Sequence, residues 1–192
     1  MRIIPFPNKK YQIIYADPPW SYNVASSKGT SRGVAERYYP TMKLDDIKSL
    51  PISRLGDNVV LFLWATYPNL PQALEVLKAW GFTYKTVAFT WIKIYKNTKN
   101  PIMGCGFWTR ANAEICLLAT KGQDYPRRIN KGIQQIIIEP KREHSRKPDI
   151  ARERIVKLMG DLPRIELFAR KPEGQLFDNP SFEGWDLWGD EI

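Results

Sequence analysis

The chain has 192 residues, of which 43% are apolar and 26% are charged, and its formal net charge is +9. These values are typical of a soluble globular protein with its own core, so we expect a single domain over residues 1–192. The sequence lacks an apolar run of membrane-spanning length, a signal-peptide core and a zinc-type spacing of its two cysteines and one histidine, which argues for a cytoplasmic protein without a metal site.

Positive charge is concentrated in one part of the chain. Between Lys93 and Lys147 there are twelve lysines and arginines against four acidic residues, so this window carries eight of the nine net positive charges. Blocks of positive charge are typical of proteins that bind phosphate backbones. A solvated basic face that only maintains solubility would give the same pattern.

In chain order, short apolar runs alternate with amphipathic segments. Apolar runs predict strands at 11–16, 58–66, 83–95, 113–120, 133–140 and 164–169. Helices are predicted at 44–50, 69–81 and 147–160, with loops at 21–40 and 96–112 and a tail after 169. This alternation predicts an α/β fold with a mostly parallel, twisted sheet, in which ligands bind beyond the carboxyl ends of the strands.

The first predicted strand ends in Asp17-Pro18-Pro19-Trp20. A carboxylate beside a carbonyl that the following proline holds in place gives two acceptors, which suit the two hydrogens of an exocyclic amine. Trp20 could stack on a base, a contact worth about 1–3 kcal/mol in single-strand binders. The alternative is a Pro-Pro turn in which Asp17 is a local cap and Trp20 belongs to the core.

Phosphate-binding glycine motifs are missing. The sequence contains neither GxGxxG nor GxxxxGK[ST], so nothing indicates a dinucleotide or a nucleoside triphosphate. A sulfonium cofactor such as S-adenosylmethionine can bind without such a loop.

From Asp17-Pro18-Pro19-Trp20 onwards the chain resembles the adenine-N6 methyltransferases of the family that includes the catalytic subunit of the eukaryotic mRNA adenosine methyltransferase and many bacterial and phage members. The resemblance extends from about Tyr11 to Ile192 through ordered segments, among them "YYPTM", "VLFLWAT", "FWTRANAEICLLATKG", "HSRKP", "IELFAR" and "GWDLWGDE". It implies a Rossmann-like methyltransferase fold with permuted motif order, the catalytic strand first and a cofactor-binding strand last. It also implies S-adenosylmethionine as the methyl donor and no metal.

The resemblance implies roles for the residues of the tetrapeptide. Asp17 and the Pro18 carbonyl would accept the two amine hydrogens of the target adenine, which directs the nitrogen lone pair towards the methyl group. Pro19 would fix the turn, and Trp20 would stack on the base or form a wall of its pocket. Asp17 would also lie beside the cofactor's sulfonium.

Other site residues follow from matching positions. The cofactor-binding residues implied are Lys147 at the cofactor carboxylate, Arg170 at the ribose with Phe168 nearby, and Asp190 with Glu191 at the adenosine. The substrate-binding residues implied are Tyr39, Lys93, Trp108 and Arg110. Lys147 could instead lie in the first turn of its helix, Arg170 could be an ordinary surface arginine, and Tyr39 and Trp108 could be loop anchors. Ala169 and Asp190 depart from the residues usual in the family.

The small size of the chain and the lack of a separate recognition domain resemble the bacterial and phage members. DNA is therefore the favoured substrate, within a restriction–modification system, and RNA is the alternative. Two other hypotheses stay open: a non-catalytic nucleic-acid-binding subunit, and methylation of a small-molecule or protein amine. The chain is expected to act as a homodimer or beside a methyltransferase-like partner subunit.

Overall fold

The computed structural model describes residues 5–21, 41–104, 106, 108–141, 146–169 and 180–189. Its strands are β1 (Ile13–Ala16), β2 (Val59–Ala65), β3 (Thr83–Ile94), β4 (Ala113–Lys121), β5 (Ile136–Pro140), β6 (Arg164–Leu167) and β7 (Trp185–Trp188). Its α-helices are α1 (Leu44–Ser49), α2 (Leu70–Ala79) and α3 (Ile150–Met159). Within these ranges, no helix has the length and apolar character that crossing a membrane requires.

The described strands form one seven-stranded sheet in the order β5-β3-β4-β2-β1-β6-β7. The strand β4 runs antiparallel to both of its neighbours, and the other pairs are parallel. This confirms the predicted α/β fold with a mostly parallel sheet.

Apolar residues that alternate along the central strands build two cores. Ile14 and Leu61 belong to one core with the buried residues of α1 and α2, whereas Tyr15 and Phe62 belong to the other core with those of α3. All seven residues of β2 are buried. Coverage of both sheet faces explains why these strands are continuous apolar runs in the sequence.

Three elements of the structure differ from the sequence prediction. The sequence places β7 in a tail, because its four residues are only partly buried and do not form an apolar run, but the strand forms and is stabilised by parallel pairing with β6. The strand β5 begins at Ile136 rather than 133, and the Gln135 side chain donates to the Val87 carbonyl at 2.6 Å. The helix α3 begins at Ile150, so Lys147 precedes it and does not lie in its first turn.

The strand β1 lies at the point where the chain changes direction across the sheet. After β1 the chain builds the sheet on the β2 side, and later it returns to place β6 on the other side of β1. Such a switch point is where α/β folds bind ligands, beyond the carboxyl ends of the strands. Because β4 runs in the opposite direction, its first residues lie at this same edge, with Ile115 beside Ala65. We call it the site edge.

Candidate active site

Asp17 lies at the switch point, directly after β1. The last residue of β1, Ala16, pairs with Leu63 of β2 on one side and Leu167 of β6 on the other. The Asp17 side chain is 18% exposed, and its Oδ2 accepts a hydrogen bond from Lys147 Nζ at 2.7 Å. The predicted catalytic carboxylate is therefore partly buried, reachable from outside, and ion-paired.

The turn after Asp17 fixes two carbonyl groups. The Trp20 N–H donates to the Pro18 carbonyl at 2.8 Å, and the Met42 N–H donates to the Pro19 carbonyl at 2.9 Å. A carbonyl oxygen has two lone pairs, so the Pro18 oxygen can accept a second hydrogen bond from a ligand. The bond from Trp20 orients this oxygen before any ligand binds.

Trp20 is a core residue. Its side chain is 6% exposed, and its indole N–H donates to the Trp64 carbonyl at 3.0 Å, which anchors the turn to β2. The structure does not present its ring as an open stacking surface, because the ring packs among buried apolar residues. This burial favours the alternative that places Trp20 in the core over a stacking contact with the base, and a wall beside the base stays a prediction. We treat Trp20 as a residue that positions the Asp17 turn.

Lys147 joins Asp17 to a second carboxylate, Glu114. Its Nζ lies 3.2 Å from Glu114 Oε2, and Glu114 Oε1 accepts a hydrogen bond from Lys93 at 2.5 Å. All four side chains are at most 18% exposed. We call Asp17, Lys93, Glu114 and Lys147 the charge cluster. Its two carboxylates and two ammonium groups balance, which is how buried charges are tolerated.

The charges of the cluster stabilise each other. Burial alone would raise the pKa of Glu114, but the ammonium groups of Lys147 and Lys93 hold it below its usual value. Burial alone would lower the pKa of Lys147, but Asp17 and Glu114 raise it well above its usual value. Lys147 is therefore a cation at neutral pH, as a partner for a ligand carboxylate must be.

A layer of buried polar residues supports Lys147. Its ammonium lies 5.8 Å from the centre of the Trp64 ring, and Trp64 Nε1 donates to the Tyr15 hydroxyl at 2.7 Å. The Arg152 guanidinium lies 5.7 Å from the Tyr15 ring and makes a two-pronged ion pair with Glu166 of β6. This layer links α3, β1, β2 and β6, so the strand ends that carry the site are held rigidly together.

Phe168, the residue after β6, has an unusual backbone. Its φ of +60° is in the left-handed region, which is uncommon for a residue with a large side chain. Its ring makes an edge-on contact with Trp188 at 5.8 Å between centroids. This places Phe168 at the site edge, beside Asp17, since the last residues of β1 and β6 are paired.

The structure describes three of the four predicted substrate-binding residues. Lys93 belongs to the charge cluster through its ion pair with Glu114, and its substrate contact stays a prediction. Trp108 is fully exposed and Arg110 is exposed, both in the segment between β3 and β4. Tyr39, and the predicted cofactor-binding residues Arg170, Asp190 and Glu191, lie outside the residues that the structure describes.

Comparison with known proteins identifies the family. The family model described as MT-A70 matches residues 11–191, nearly the whole chain. The chain belongs to the MT-A70 family. Membership confirms the resemblance carried by the ordered segments, and together with the sheet it confirms a Rossmann-like methyltransferase fold.

Relatives within the MT-A70 family include bacterial and eukaryotic proteins. The chain is 34% identical to the Type II methyltransferase M.MunI of Mycoplasma sp, over 97% of this chain and 79% of that protein. It is 30% identical to the human N(6)-adenosine-methyltransferase catalytic subunit METTL3, over 84% of this chain and 26% of that protein. It is 29% identical to a Drosophila melanogaster MT-A70-like protein, over 84% of this chain and 24% of that protein. The chain therefore spans about a quarter of these two eukaryotic relatives but most of M.MunI.

Glu114 is a site residue of this MT-A70 chain that the sequence does not predict. It lies at the start of β4, in a sequence where it looks like the polar end of an apolar strand. The missing information is the direction of β4: only an antiparallel strand brings its first residues to the site edge. An acidic residue followed by the buried run Ile115–Leu117 is the signal that could have suggested a buried charge.

Proposed function

We propose that this chain transfers a methyl group from S-adenosylmethionine to the exocyclic N6 amine of adenine in DNA. The observation that carries the proposal is the pair of acceptors, Asp17 and the Pro18 carbonyl, at the switch point of an MT-A70 fold. The relatives named as adenosine N6-methyltransferases support adenine as the target, since they share this domain.

DNA is favoured over RNA by the extent of the similarity. The alignment with M.MunI covers most of both proteins, whereas the METTL3 alignment covers only a domain-sized part of METTL3. Type II methyltransferase is the term used for the modification enzymes of restriction–modification systems, and we propose the same role here. Such a substrate would be met in the cytoplasm of a bacterial cell.

The proposed mechanism is positioning. The two amine hydrogens donate to Asp17 and to the free lone pair of the Pro18 carbonyl, so the nitrogen lone pair points away from both acceptors. The Trp20 N–H and indole hold this geometry in advance, through Pro18 and Trp64. S-adenosylmethionine, when bound, supplies the electrophilic methyl group. Small displacements should be costly, because most of the acceleration comes from alignment.

The described residues fit such a cofactor. Lys147 is a buried cation that can bind the carboxylate of the cofactor, and it forms an ion pair with Asp17 at the switch point. Phe168 lies beside the same strand end. No phosphate-binding loop is required, because the cofactor has no phosphate. We further propose that Arg170, Asp190 and Glu191 contact the cofactor and that Tyr39, Lys93, Trp108 and Arg110 border the DNA.

Two further proposals concern the domain organisation of the chain and its partners. One sheet with a core on each face supports a single methyltransferase domain over residues 1–192. We also propose a homodimer or a methyltransferase-like partner subunit, which sedimentation velocity with and without DNA would measure.

The test is a methylation assay with radioactive S-adenosylmethionine on matched oligonucleotides. Duplex DNA, single-stranded DNA and RNA of the same base sequences are compared, and the products are digested to identify the modified nucleoside. We expect N6-methyladenine in DNA, with the preferred sequence read by long-read sequencing of modified DNA. Labelling of RNA alone would contradict the assignment of DNA as the substrate. Failure to bind S-adenosylmethionine in calorimetry would contradict the proposal that the chain is a methyltransferase.

A further inference from the structure

We infer that the hairpin of residues 95–103, at the end of β3, forms a groove that binds the nucleotide next to the target adenine and reads its base. The inference rests on the proposed DNA substrate, because it names a recognition element for that same site. The groove is open to solvent, has a volume of about 580 Å³ and is lined by residues of this hairpin, including Tyr95, Lys96, Asn97, Asn100 and Met103.

The hairpin is built to be rigid. The Tyr95 N–H donates to the Asn100 carbonyl at 2.8 Å, and the Lys99 N–H donates to the Tyr95 carbonyl at 3.0 Å. Pro101 forms an antiparallel bridge with Ile94. A groove that is ordered before binding loses less entropy when a nucleotide enters it.

The hairpin is joined directly to the charge cluster. The Ile102 N–H donates to the Lys93 carbonyl at 2.9 Å, while the Lys93 ammonium is bonded to Glu114. Glu114 contacts Lys147, which contacts Asp17. Three side-chain contacts therefore connect the base of the groove to the proposed catalytic carboxylate, as expected for a subsite that holds a neighbouring nucleotide.

The chemistry of the groove suits a nucleotide. Tyr95 is 47% exposed, and its hydroxyl accepts a hydrogen bond from the Met103 N–H at 3.3 Å. Because the Tyr95 backbone is also hydrogen-bonded within the hairpin, the ring is fixed through both its backbone and its hydroxyl. A fixed, exposed ring is a stacking surface for a base. Asn97 offers an amide that can pair with a base edge. Lys96 and Lys99 supply positive charge for the backbone, and residues 95–103 contain no acidic residue.

The experiment uses a pool of duplex DNA with randomised bases, methylated by the full chain and sequenced by a long-read method that detects N6-methyladenine. This gives the base preference at each position around the modified adenine, whatever the recognition sequence is. Tyr95→Ala should lower the methylation rate at limiting enzyme by about 5- to 100-fold. Asn97→Ala should reduce discrimination at one neighbouring position by about tenfold, with the modified base unchanged.

The chain provides a matched control. Tyr84 is 44% exposed, close to the value for Tyr95, but it lies near the opposite end of β3. Tyr84→Ala should leave rate and preference unchanged, and Tyr95→Phe, which keeps the ring, should restore most of the rate. Thermal melting of each variant checks that the fold is kept.

The outcomes separate the two proposals. If the wild-type chain methylates the pool and the Tyr95 and Asn97 variants keep its rate and base preferences, the groove is not a recognition element and the inference is overturned. If Tyr84→Ala has the same effect as Tyr95→Ala, the ring acts through general stability and the inference is also overturned. If the wild-type chain methylates no DNA, the proposed function fails, and the inference fails with it.

Discussion

At the scale of single residues, the site depends on one lysine shared by two carboxylates. Lys147 is within hydrogen-bonding distance of both Asp17 and Glu114. Removing one member of a buried ion network usually destabilises the fold by more than the net contribution of the ion pair, because the remaining charge stays buried without an opposite charge beside it. Substitutions here should therefore affect both catalysis and stability, and experiments need to measure the two separately.

Asp17→Asn is the sharpest test of the acceptor pair. The amide keeps the shape of the side chain but replaces one acceptor oxygen with a donor, so the target amine loses its alignment. We expect the methylation rate to fall at least about 100-fold, with an unchanged circular dichroism spectrum. The control Asp45→Asn, at a side chain that is 92% exposed, should keep full activity. A variant that retains most of its rate would contradict the mechanism.

Glu114→Gln tests the charge cluster through stability and pH. Lys93 would lose its carboxylate partner, and we expect the free energy of unfolding at neutral pH to fall by about 3 kcal/mol. The folded-state pKa of Glu114 is below its ordinary value of 4.5. Its contribution is therefore fully present above pH 4.5 and is lost as the pH falls through the folded-state pKa.

The measurement for Glu114 is urea unfolding of wild type and variant across acidic pH. The gap between their unfolding free energies should narrow as the pH falls below 4.5. The control is Glu153→Gln on α3, where the side chain is 49% exposed and its ion pair with Lys157 is long, at 3.8 Å. The free energy of unfolding of that variant should equal that of wild type at every pH. A gap that is constant with pH would show that Glu114 acts through shape rather than charge.

At the scale of elements, the sequence predicts the buried strands well and the short or reversed ones poorly. A continuous apolar run such as β2 predicts a buried strand, because a strand that is covered on both faces of the sheet has no position that favours a polar residue. The strand β7 has four residues, and its pairing with β6 comes from tertiary contact. The direction of β4 is likewise absent from the pattern, which is why the sequence does not predict the contact of Glu114 with Lys147.

The contact between the ends of β6 and β7 should be sensitive to Gly189. A Cβ atom there would lie 2.6 Å from the Ala169 carbonyl oxygen and 3.0 Å from the Phe168 carbonyl carbon. We expect Gly189→Ala to lower the unfolding free energy by about 1–3 kcal/mol and to weaken cofactor binding, because Phe168 would be displaced. Calorimetry and urea unfolding measure both effects. Gly132→Ala, where the nearest atom is 3.4 Å away, should change neither.

At the scale of the whole molecule, charge is distributed unequally. The window from Lys93 to Lys147, which holds nearly all of the net positive charge, begins at the charge cluster and includes the exposed Arg110. This distribution can be seen in the sequence. The structure divides it between two edges of the sheet: Lys93 and Arg110 lie next to the site-edge ends of β3 and β4, whereas Lys121, at the other end of β4, pairs with Val59 at the opposite edge.

DNA binding should therefore depend strongly on salt. Each phosphate contact contributes a slope of about −0.9 to the logarithm of the affinity against the logarithm of the salt concentration. The double variant Lys96→Gln with Arg110→Gln should reduce the slope by about 2 in fluorescence anisotropy. Lys78→Gln with Lys157→Gln, on the helices α2 and α3, should leave it unchanged. Equal slopes for the two pairs would mean that the basic window does not face DNA.

The position of β1 in the sheet has a consequence for how the active protein is made. Ile13 of β1 pairs with Arg164 of β6, so the strand that leads to Asp17 is synthesised well before its second neighbour. Pairing over so long a separation in sequence closes a large loop and is slow to form. A nascent or truncated chain that lacks β6 leaves the Asp17 turn without one of its walls. Methylation competence should therefore appear only after the segment that contains β6 has left the ribosome.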